Sequence, residues 1–343
     1  MIDSRLRRVA FLVAACFFMV PVGRIVVLGQ AEKSQIMRLM SYIVWPGLIA
    51  PVIAPLAGGA AGEIGRPPQL DRLGVVLTCG ALGGLTYAGQ LLSDGTPDWM
   101  HAVAIAIASL VLAGLAAWHL LRAGAPLINL RTLRIPTFGA AMSGSSLFWL
   151  AVGAIPFLLP LLFQTVSGWS AIKSDSVVLF VFVGNIAIKP ATTALFNRFG
   201  FRTVLLVATS GLALTAFAAG LLTADTPLVV IVLVALLSGV ARSVGLTGCT
   251  TLGLSDVPPD LIRDANALAS TVQQLFTGLG VAAATVALRA GHELDDLLPR
   301  RAGESTAYTV AFALLGLIAL VSTVDPLRLH PRAGESLVEA PAR

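Results

Sequence analysis

Charged side chains are scarce in this sequence. Asp, Glu, Lys and Arg make up 12% of the 343 residues, whereas 56% are hydrophobic. Soluble globular domains carry about 25% charged residues. A soluble core cannot absorb this much apolar surface, because a globule of this size needs far more polar cover. The composition therefore excludes a soluble protein and makes lipid the solvent for most of the chain.

Runs of like charge and closely spaced cysteines are also missing. The net charge is +5, yet no five consecutive residues carry the same charge. This pattern excludes a nucleic-acid partner and is typical of Lys and Arg residues that hold short loops on the cytoplasmic side. The three cysteines, Cys16, Cys79 and Cys249, lie far apart in apolar stretches. We therefore expect neither a disulfide framework nor a metal site, and no cofactor.

Long apolar stretches make up most of the chain instead. Each approaches the roughly 20 residues that a membrane-spanning helix needs. The stretches are continuous and do not alternate, which indicates helices and not the strands of a barrel. The sequence therefore predicts an all-α polytopic membrane protein with about ten transmembrane helices. The predicted spans are Val9–Gly29, Leu39–Gly62, Leu73–Leu92, Ala102–Leu121, Phe138–Gln164, Val177–Phe196, Thr203–Leu222, Pro227–Leu252, Ala267–Ala290 and Ala307–Val324.

The first of these stretches also resembles a secretory signal. Arg5, Arg7 and Arg8 precede an apolar run, and residues 13–16 resemble a lipoprotein cleavage box. The run continues past this box to Leu28, and further apolar stretches follow. We therefore interpret it as a transmembrane helix.

The distribution of Lys and Arg predicts the orientation of the spans. Ser93–His101 and Thr223–Thr226 carry neither residue, whereas both termini and the loops after the second, fourth and sixth spans carry several. Ten helices with both termini in the cytoplasm satisfy this pattern. The exceptions on the outer side are Lys33, Arg38, Arg300 and Arg301.

Acidic residues are absent from the predicted spans. All 18 of them fall outside. A proton-coupled transporter usually needs a titratable carboxylate within the membrane, because protonating it is how the proton gradient does work on the substrate. Three explanations stay open: coupling is absent, it uses another group, or the carboxylate belongs to sequence missing from this chain.

Basic residues do occur within the spans, where each is costly enough to need a reason. Arg24 lies near the end of its helix and can extend to the interface. Lys189 can do the same, but it follows Asn185 by four residues, so both project from one helix face and favour a polar, inward-facing stripe. Arg242 lies deepest, and we expect it to face the interior of the bundle.

Two glutamines lie in the middle of the ninth predicted span. Gln273 shares a helix face with Thr277 and Gly280. Gln273 and Gln274 either form interhelical hydrogen bonds that hold the bundle together or line a cavity for a hydrophobic substrate, and both interpretations stay open. The candidate residues for a substrate pathway are Asn185, Lys189, Arg242, Gln273 and Gln274.

Proline and glycine are concentrated in the second predicted span. Proline removes a backbone hydrogen bond and bends a helix, and glycine lets a neighbouring backbone approach closely. We expect this helix to form a hinge or a tight seal between moving halves. The residues concerned are Pro46, Pro51, Pro55, Gly58 and Gly59.

Several of these motifs resemble the drug exporters of the major facilitator superfamily. Ala54–Gly59 resembles the Gly-Pro-x-x-Gly-Gly antiporter motif of their fifth helix, and Val20–Arg24 resembles the end of their fourth. Pro126–Arg131, followed by Thr137–Phe138, is similar to the loop before the ninth helix of the fourteen-helix drug:proton antiporters.

The resemblance continues in the same order along the second half. Ile155–Gln164 fits the end of the ninth helix, and Asn197–Arg202 resembles the second copy of the cytoplasmic gating loop. Gly239–Ser243, Ser255–Pro258 and Gln273–Leu275 match the twelfth and thirteenth helices. The motifs together cover nearly the whole chain.

The resemblance implies a partial major-facilitator fold in a bacterial inner membrane and transport of the multidrug-efflux, proton-antiport type. It implies a hydrophobic small-molecule substrate and coupling to protons. The residues implied for the antiporter-motif helix are Pro51, Ala54, Pro55, Gly58 and Gly59. The residues implied for the gating loop are Asn197, Arg198, Gly200 and Arg202.

Parts of the family's pattern are missing from this sequence. Family members begin with three further helices, which include an acidic residue and the first gating loop. Ala54 replaces a glycine of the antiporter motif, and the sixth helix is missing after Gly62. We therefore expect an N-terminally truncated relative. The expected units are a two-helix remnant of the first bundle (1–63), two linking helices (64–121) and a second six-helix bundle with a short cytoplasmic tail (122–343).

Two functions remain open for such a chain. The first is a transporter of the multidrug-efflux type, which the chain is by descent but in an impaired or incomplete form, with its substrate held among the last six helices. The alternative is a non-transporting membrane remnant, or a fragment that needs a partner chain. An enzyme is not expected, because the predicted loops offer only His101 and His292 without a cluster of catalytic side chains.

Overall fold

The described part of the protein is helical throughout. The computed structural model describes residues 71–91, 99–123, 130–258, 261–297 and 304–328. Within these ranges every regular element is a helix. The α-helices are α1 Arg72–Leu91, α2 Trp99–Arg122, α3 Pro136–Thr165, α4 Ala171–Ala187, α5 Lys189–Gly220, α6 Leu228–Leu254, α7 Ile262–Leu297, α8 Glu304–Val321 and α9 Val324–Arg328, and a 3₁₀ helix covers Leu130–Arg134.

Six segments of the described chain are long and apolar enough to cross a membrane. In α1 the strongly apolar part, Val76–Leu85, is shorter than a span. The six candidate spans are Met100–Arg122, Pro136–Thr165, Lys189–Gly220, Leu228–Leu254, Asp264–Asp295 and Ser305–Leu327. Lys189–Gly220 qualifies by length and composition, although the helix turns at Gly200 within it.

The element α5 is two helices joined at a sharp turn. Gly200 has φ 75° and ψ 159°, a conformation that only glycine adopts readily. Phe196, before the turn, and Leu205, after it, both lie against Gly248 of α6, so the chain reverses at Gly200. The first half of α5 continues α4 almost without a break, because only Ile188 separates the two helices. We call residues 171–199 the split span.

The predicted gating loop is therefore much tighter than a loop of six residues. Asn197 and Arg202 both lie in helical backbone, and Gly200 alone departs from it. The sequence placed the reversal correctly, but the helices on both sides extend further than expected.

The ninth predicted span, Ala267–Ala290, is also too short. The helix α7 covers 36 residues, or roughly 54 Å at 1.5 Å per residue, which exceeds a hydrocarbon core of about 30 Å. Its ends therefore project beyond the core and tolerate charge. His292 lies in this helix and not in a loop as predicted.

The first two predicted spans, Val9–Gly29 and Leu39–Gly62, lie outside the described residues. The same holds for every residue of the predicted antiporter-motif helix. These are Pro51, Ala54, Pro55, Gly58 and Gly59.

Helix α3 is the centre of the bundle formed by α3 to α9. It packs against α4, α6, α7 and α8. Its large side chains Phe148, Trp149 and Phe163 are completely buried. In lipid, where hydrophobic burial drives little association between helices, such close packing is the main source of cohesion.

A hairpin of α1 and α2 packs beside this bundle. Gly84 of α1 lies against Ser109 of α2, which brings the two backbones close together. The hairpin meets the bundle mainly through α1, which contacts α7. Helix α2 leaves Met100, Ile107 and Leu110 exposed, as expected for a surface that faces lipid or other parts of the chain.

Candidate substrate pathway

The split span and α6 run side by side in the same direction. On α6, Gly239 packs against the backbone at Val181 and Asn185. Four residues further along both helices, the Ser243 hydroxyl donates a hydrogen bond to the Asn185 carbonyl oxygen at 2.8 Å. Because the contacts recur every four residues on both helices, the same two helix faces stay together over successive turns.

One turn further along, the contact between the split span and α6 involves Lys189, one of the predicted basic residues. The Lys189 ammonium group donates a hydrogen bond to the Thr247 hydroxyl oxygen at 2.9 Å. The Thr247 hydroxyl in turn donates to the Ser243 carbonyl oxygen at 2.9 Å. Lys189 is exposed, whereas Thr247 is half-buried and Ser243 is buried. We call Asn185, Lys189, Ser243 and Thr247 the polar seam.

Arg242 lies where α3, the split span and α6 meet. Its guanidinium group donates a hydrogen bond to the Val152 carbonyl oxygen of α3 at 3.4 Å. It also lies 5.7 Å from the ring centroid of Phe182, within the range of a cation–π contact. The side chain is half-buried.

The depth of Arg242 makes it the most costly side chain of the site. It is 12 residues from the end of α6 at Leu254, about 18 Å along the axis. Half of a bilayer's hydrocarbon core is about 15 Å, so Arg242 lies near the middle of the span. A charged residue at that depth costs about 2.5–3.5 kcal/mol on insertion.

Gln273 and Gln274 lie on another side of α3, in α7. Helix α7 meets α3 closely, where Thr277 lies against Gly153 and Gly280 lies against the Leu150 carbonyl. Both glutamines are half-buried. Within the described ranges no hydrogen bond joins either side-chain amide to another helix, so the structure does not bring them to the polar seam.

The predicted gating-loop residues lie together at the end of the bundle marked by Gly200. Arg202 donates a hydrogen bond to the Leu327 carbonyl oxygen of α9 at 3.2 Å. Phe196 and Phe201 stack across the turn with ring centroids 4.6 Å apart. Asn197 and Arg198 are exposed, and the Arg198 guanidinium lies over the Phe199 ring. The turn is therefore attached to the last helix.

Comparison with known proteins identifies the family. The family model for the Major Facilitator Superfamily matches residues 9–281, which is more than half of the chain. The chain belongs to the Major Facilitator Superfamily. It is therefore a multi-pass membrane protein, and the resemblance drawn from the sequence motifs is confirmed.

Curated relatives bear the name multidrug resistance protein MdtD. The chain is 30% identical to the one from Serratia proteamaculans over 302 residues, which cover 78% of this chain and 62% of that protein. It is 28% identical to those from Salmonella paratyphi A and Klebsiella pneumoniae, with 79% of this chain and 64% of each relative covered. The chain thus spans less than two thirds of the length of these relatives.

In the described part of this superfamily member, the acidic residues within helices lie near the helix ends. The candidate spans contain Asp264, Glu293, Asp295 and Asp325, so the prediction that all acidic residues fall outside the spans is wrong for these four. All of them are within about a turn of a helix end, because the helices are longer than predicted.

One acidic residue forms a hydrogen-bonded contact with a histidine that the sequence did not predict. Asp71 and His119 approach to 2.8 Å between carboxylate oxygen and ring Nε2. Asp71 also accepts a hydrogen bond from the Gly74 backbone N–H at 2.8 Å and so caps the start of α1. With side-chain exposures of 7% and 23%, the pair is shielded enough to tie the start of α1 to the end of α2.

The polar seam was only half visible in the sequence. The spacing of Asn185 and Lys189 indicated a polar face, but their partners Ser243 and Thr247 were not predicted as site residues. The signal that could have found them is the series Gly239, Ser243 and Thr247, with a small or hydroxyl side chain at every fourth position.

Proposed function

We propose that this protein is a transporter of the multidrug-efflux type in a bacterial inner membrane, with both termini in the cytoplasm. The observation that supports this most is Arg242, a charged and half-buried side chain near the middle of a candidate span in a protein of the Major Facilitator Superfamily. Ionisable side chains within a membrane mark substrate or ion pathways by default.

In this proposal the split span and α6 move as one unit. Hydrogen bonds of the polar seam link them at two successive turns, and Gly239 lets their backbones approach without an intervening side chain. Alternating access then requires this unit to rock against other helices and not to come apart internally. A substrate would contact the side of the unit that carries Arg242.

Proton antiport is the coupling that the family resemblance implies, and we include it in the proposal. The described carboxylates within helices lie near the helix ends. Proton coupling through the described residues would therefore use a carboxylate near a helix end and not a group in the middle of the bundle. Asp325 is the candidate there, because it is half-buried in the last candidate span and its carboxyl group lies against Gly144 of α3.

Dye retention in a pump-deficient bacterial host tests the proposal. Cells expressing the full chain are loaded with a cationic, a neutral and an anionic dye, and fluorescence is followed with and without a protonophore. The proposal predicts faster loss of at least one dye than in cells carrying an empty vector, and slower loss once the proton gradient is removed. Equal retention of all three dyes in both strains would contradict it.

The same experiment addresses the alternative of a chain that transports nothing by itself. Western blotting of membrane fractions shows whether the protein is inserted. A fully inserted protein without any effect on dye retention supports a non-transporting remnant or a fragment that needs a partner chain.

A further inference from the structure

The middle of the bundle carries positive charge. Lys189 and Arg242 both lie on or beside the polar seam. Every Asp and Glu of the described bundle lies in a connection or within about a turn of a helix end. Among the described residues, the charged side chains in the middle of the bundle are therefore positive.

The two cations are arranged along the seam. Lys189 is bound to Thr247, which follows Arg242 by five residues on α6. Five residues correspond to about 7.5 Å along a helix axis. Phe182, which contacts Arg242, lies seven residues before Lys189 on the split span, close to two full turns, so Phe182 and Lys189 face the same side. A ligand that passes along the unit would meet two positive side chains in succession, and a low-dielectric surrounding strengthens the effect of both.

The chemistry of Arg242 suits a carboxylate. The guanidinium group is planar, stays charged, and presents five N–H donors in a fork that matches the two oxygens of an acid group. Its half-buried position leaves part of it accessible. The Phe182 ring beside it offers an apolar surface next to the charge.

We propose that the bundle binds an amphiphilic organic anion, with the acid group at Arg242, the apolar part toward Phe182, and Lys189 as a second cation nearer the Gly200 end. The inference rests on the proposed transport function and names the substrate class of that site. A cationic ligand is disfavoured there, because like charges repel most strongly where water is scarce.

A matched pair of probes tests this proposal. Pyrenebutyrate and pyrenebutylamine share the same ring and chain length and differ in the charge of the head group. Binding is measured by equilibrium dialysis at pH 7 with the full chain in phosphatidylcholine nanodiscs, and empty nanodiscs correct for partition into lipid. We expect the carboxylate to bind about tenfold more tightly than the amine.

Substitution of the arginine separates a ligand contact from a structural role. Arg242→Gln is expected to weaken carboxylate binding about tenfold and to leave amine binding unchanged or stronger, whereas Arg242→Lys keeps the preference for the carboxylate. Arg134→Gln, which removes an exposed arginine of the 3₁₀ helix, is the matched control and should change neither affinity. Lys189→Gln is expected to weaken carboxylate binding about threefold.

The outcomes are distinguishable. Equal binding of the two probes, or a preference that survives Arg242→Gln, overturns the inference and leaves the proposed transport function intact. Binding of neither probe by the wild type overturns the inference and also counts against a small-molecule site. If Arg242→Gln does not fold, as judged by its elution from size-exclusion chromatography, Arg242→Lys and Lys189→Gln decide.

Discussion

Lys189 donates a hydrogen bond to the Thr247 hydroxyl across the boundary between the split span and α6, with 2.9 Å between nitrogen and oxygen. Four residues earlier on each helix, Ser243 donates to the Asn185 carbonyl. The two contacts fix the register between neighbouring helices, so that a shift of one helix along the other would break both.

The contact between Lys189 and Thr247 should be measurable as a coupling energy. We expect Thr247→Val and Lys189→Met to show an interaction of about 0.5–1 kcal/mol in a double-mutant cycle, because interhelical hydrogen bonds in membranes average about 0.6 kcal/mol. Thermal unfolding in detergent provides the stabilities. Thr250→Val is the control, since the Thr250 hydroxyl bonds within its own helix to Leu246; a cycle of Lys189→Met with Thr250→Val should show no coupling.

Gly239 should tolerate no larger side chain. A Cβ atom there would collide with the Val181 carbonyl oxygen of the split span, so Gly239→Ala must push the two helices apart. We expect a loss of about 1–3 kcal/mol of stability in thermal unfolding, the usual cost of overpacking. Gly114→Ala is the matched control, because nothing lies within 4 Å of a Cβ at Gly114. It should be neutral or stabilising, and equal effects at the two positions would contradict the close approach at Gly239.

Gly200 should resist substitution for a different reason. Nothing lies within 4 Å of a Cβ at this position, but the backbone has a φ of 75°. We expect Gly200→Ala to cost about 1–3 kcal/mol through backbone strain alone. Thermal unfolding again provides the measurement. A variant as stable as Gly114→Ala would show that the turn does not need the glycine conformation.

Asp71 has two roles that can be separated. Asparagine caps a helix as well as aspartate does, so Asp71→Asn should keep the hydrogen bond from the Gly74 N–H and lose only the negative charge that faces His119. Asp71→Ala loses both and should be less stable than Asp71→Asn by about 1 kcal/mol. Equal stabilities of the two variants in thermal unfolding would show that the cap contributes nothing.

The sequence predicted the spans well and their ends less well. Long apolar runs determine where helices cross a membrane, so α2 and α3 begin and end within a few residues of their predicted bounds. The predicted span in α7 is too short because charged residues such as Asp264 and Glu293 end the apolar run but not the helix. Charge marks the edge of the hydrocarbon core, and a helix can continue beyond it.

The site was harder to predict than the fold. A charged residue deep in a span stands out in any sequence, and Arg242 was identified for that reason. Ser243 and Thr247 are ordinary in a transmembrane helix, since their importance depends on which helix lies opposite and in which register. Helical periodicity describes one helix at a time and carries no such information. The contact between Asp71 and His119, 48 positions apart, was missed for the same reason.

Exchange transport by purified protein tests the central claim most directly. The full chain is reconstituted into proteoliposomes preloaded with an unlabelled dye that the cell assay shows to be exported, and entry of the labelled dye is followed over time. The proposal predicts saturable uptake that exceeds the uptake by preloaded liposomes without protein. Uptake should fall at least about tenfold in Arg242→Gln and should equal that of the wild type in Arg134→Gln. Uptake that is no faster than into preloaded liposomes without protein would contradict the proposal that this chain transports by itself.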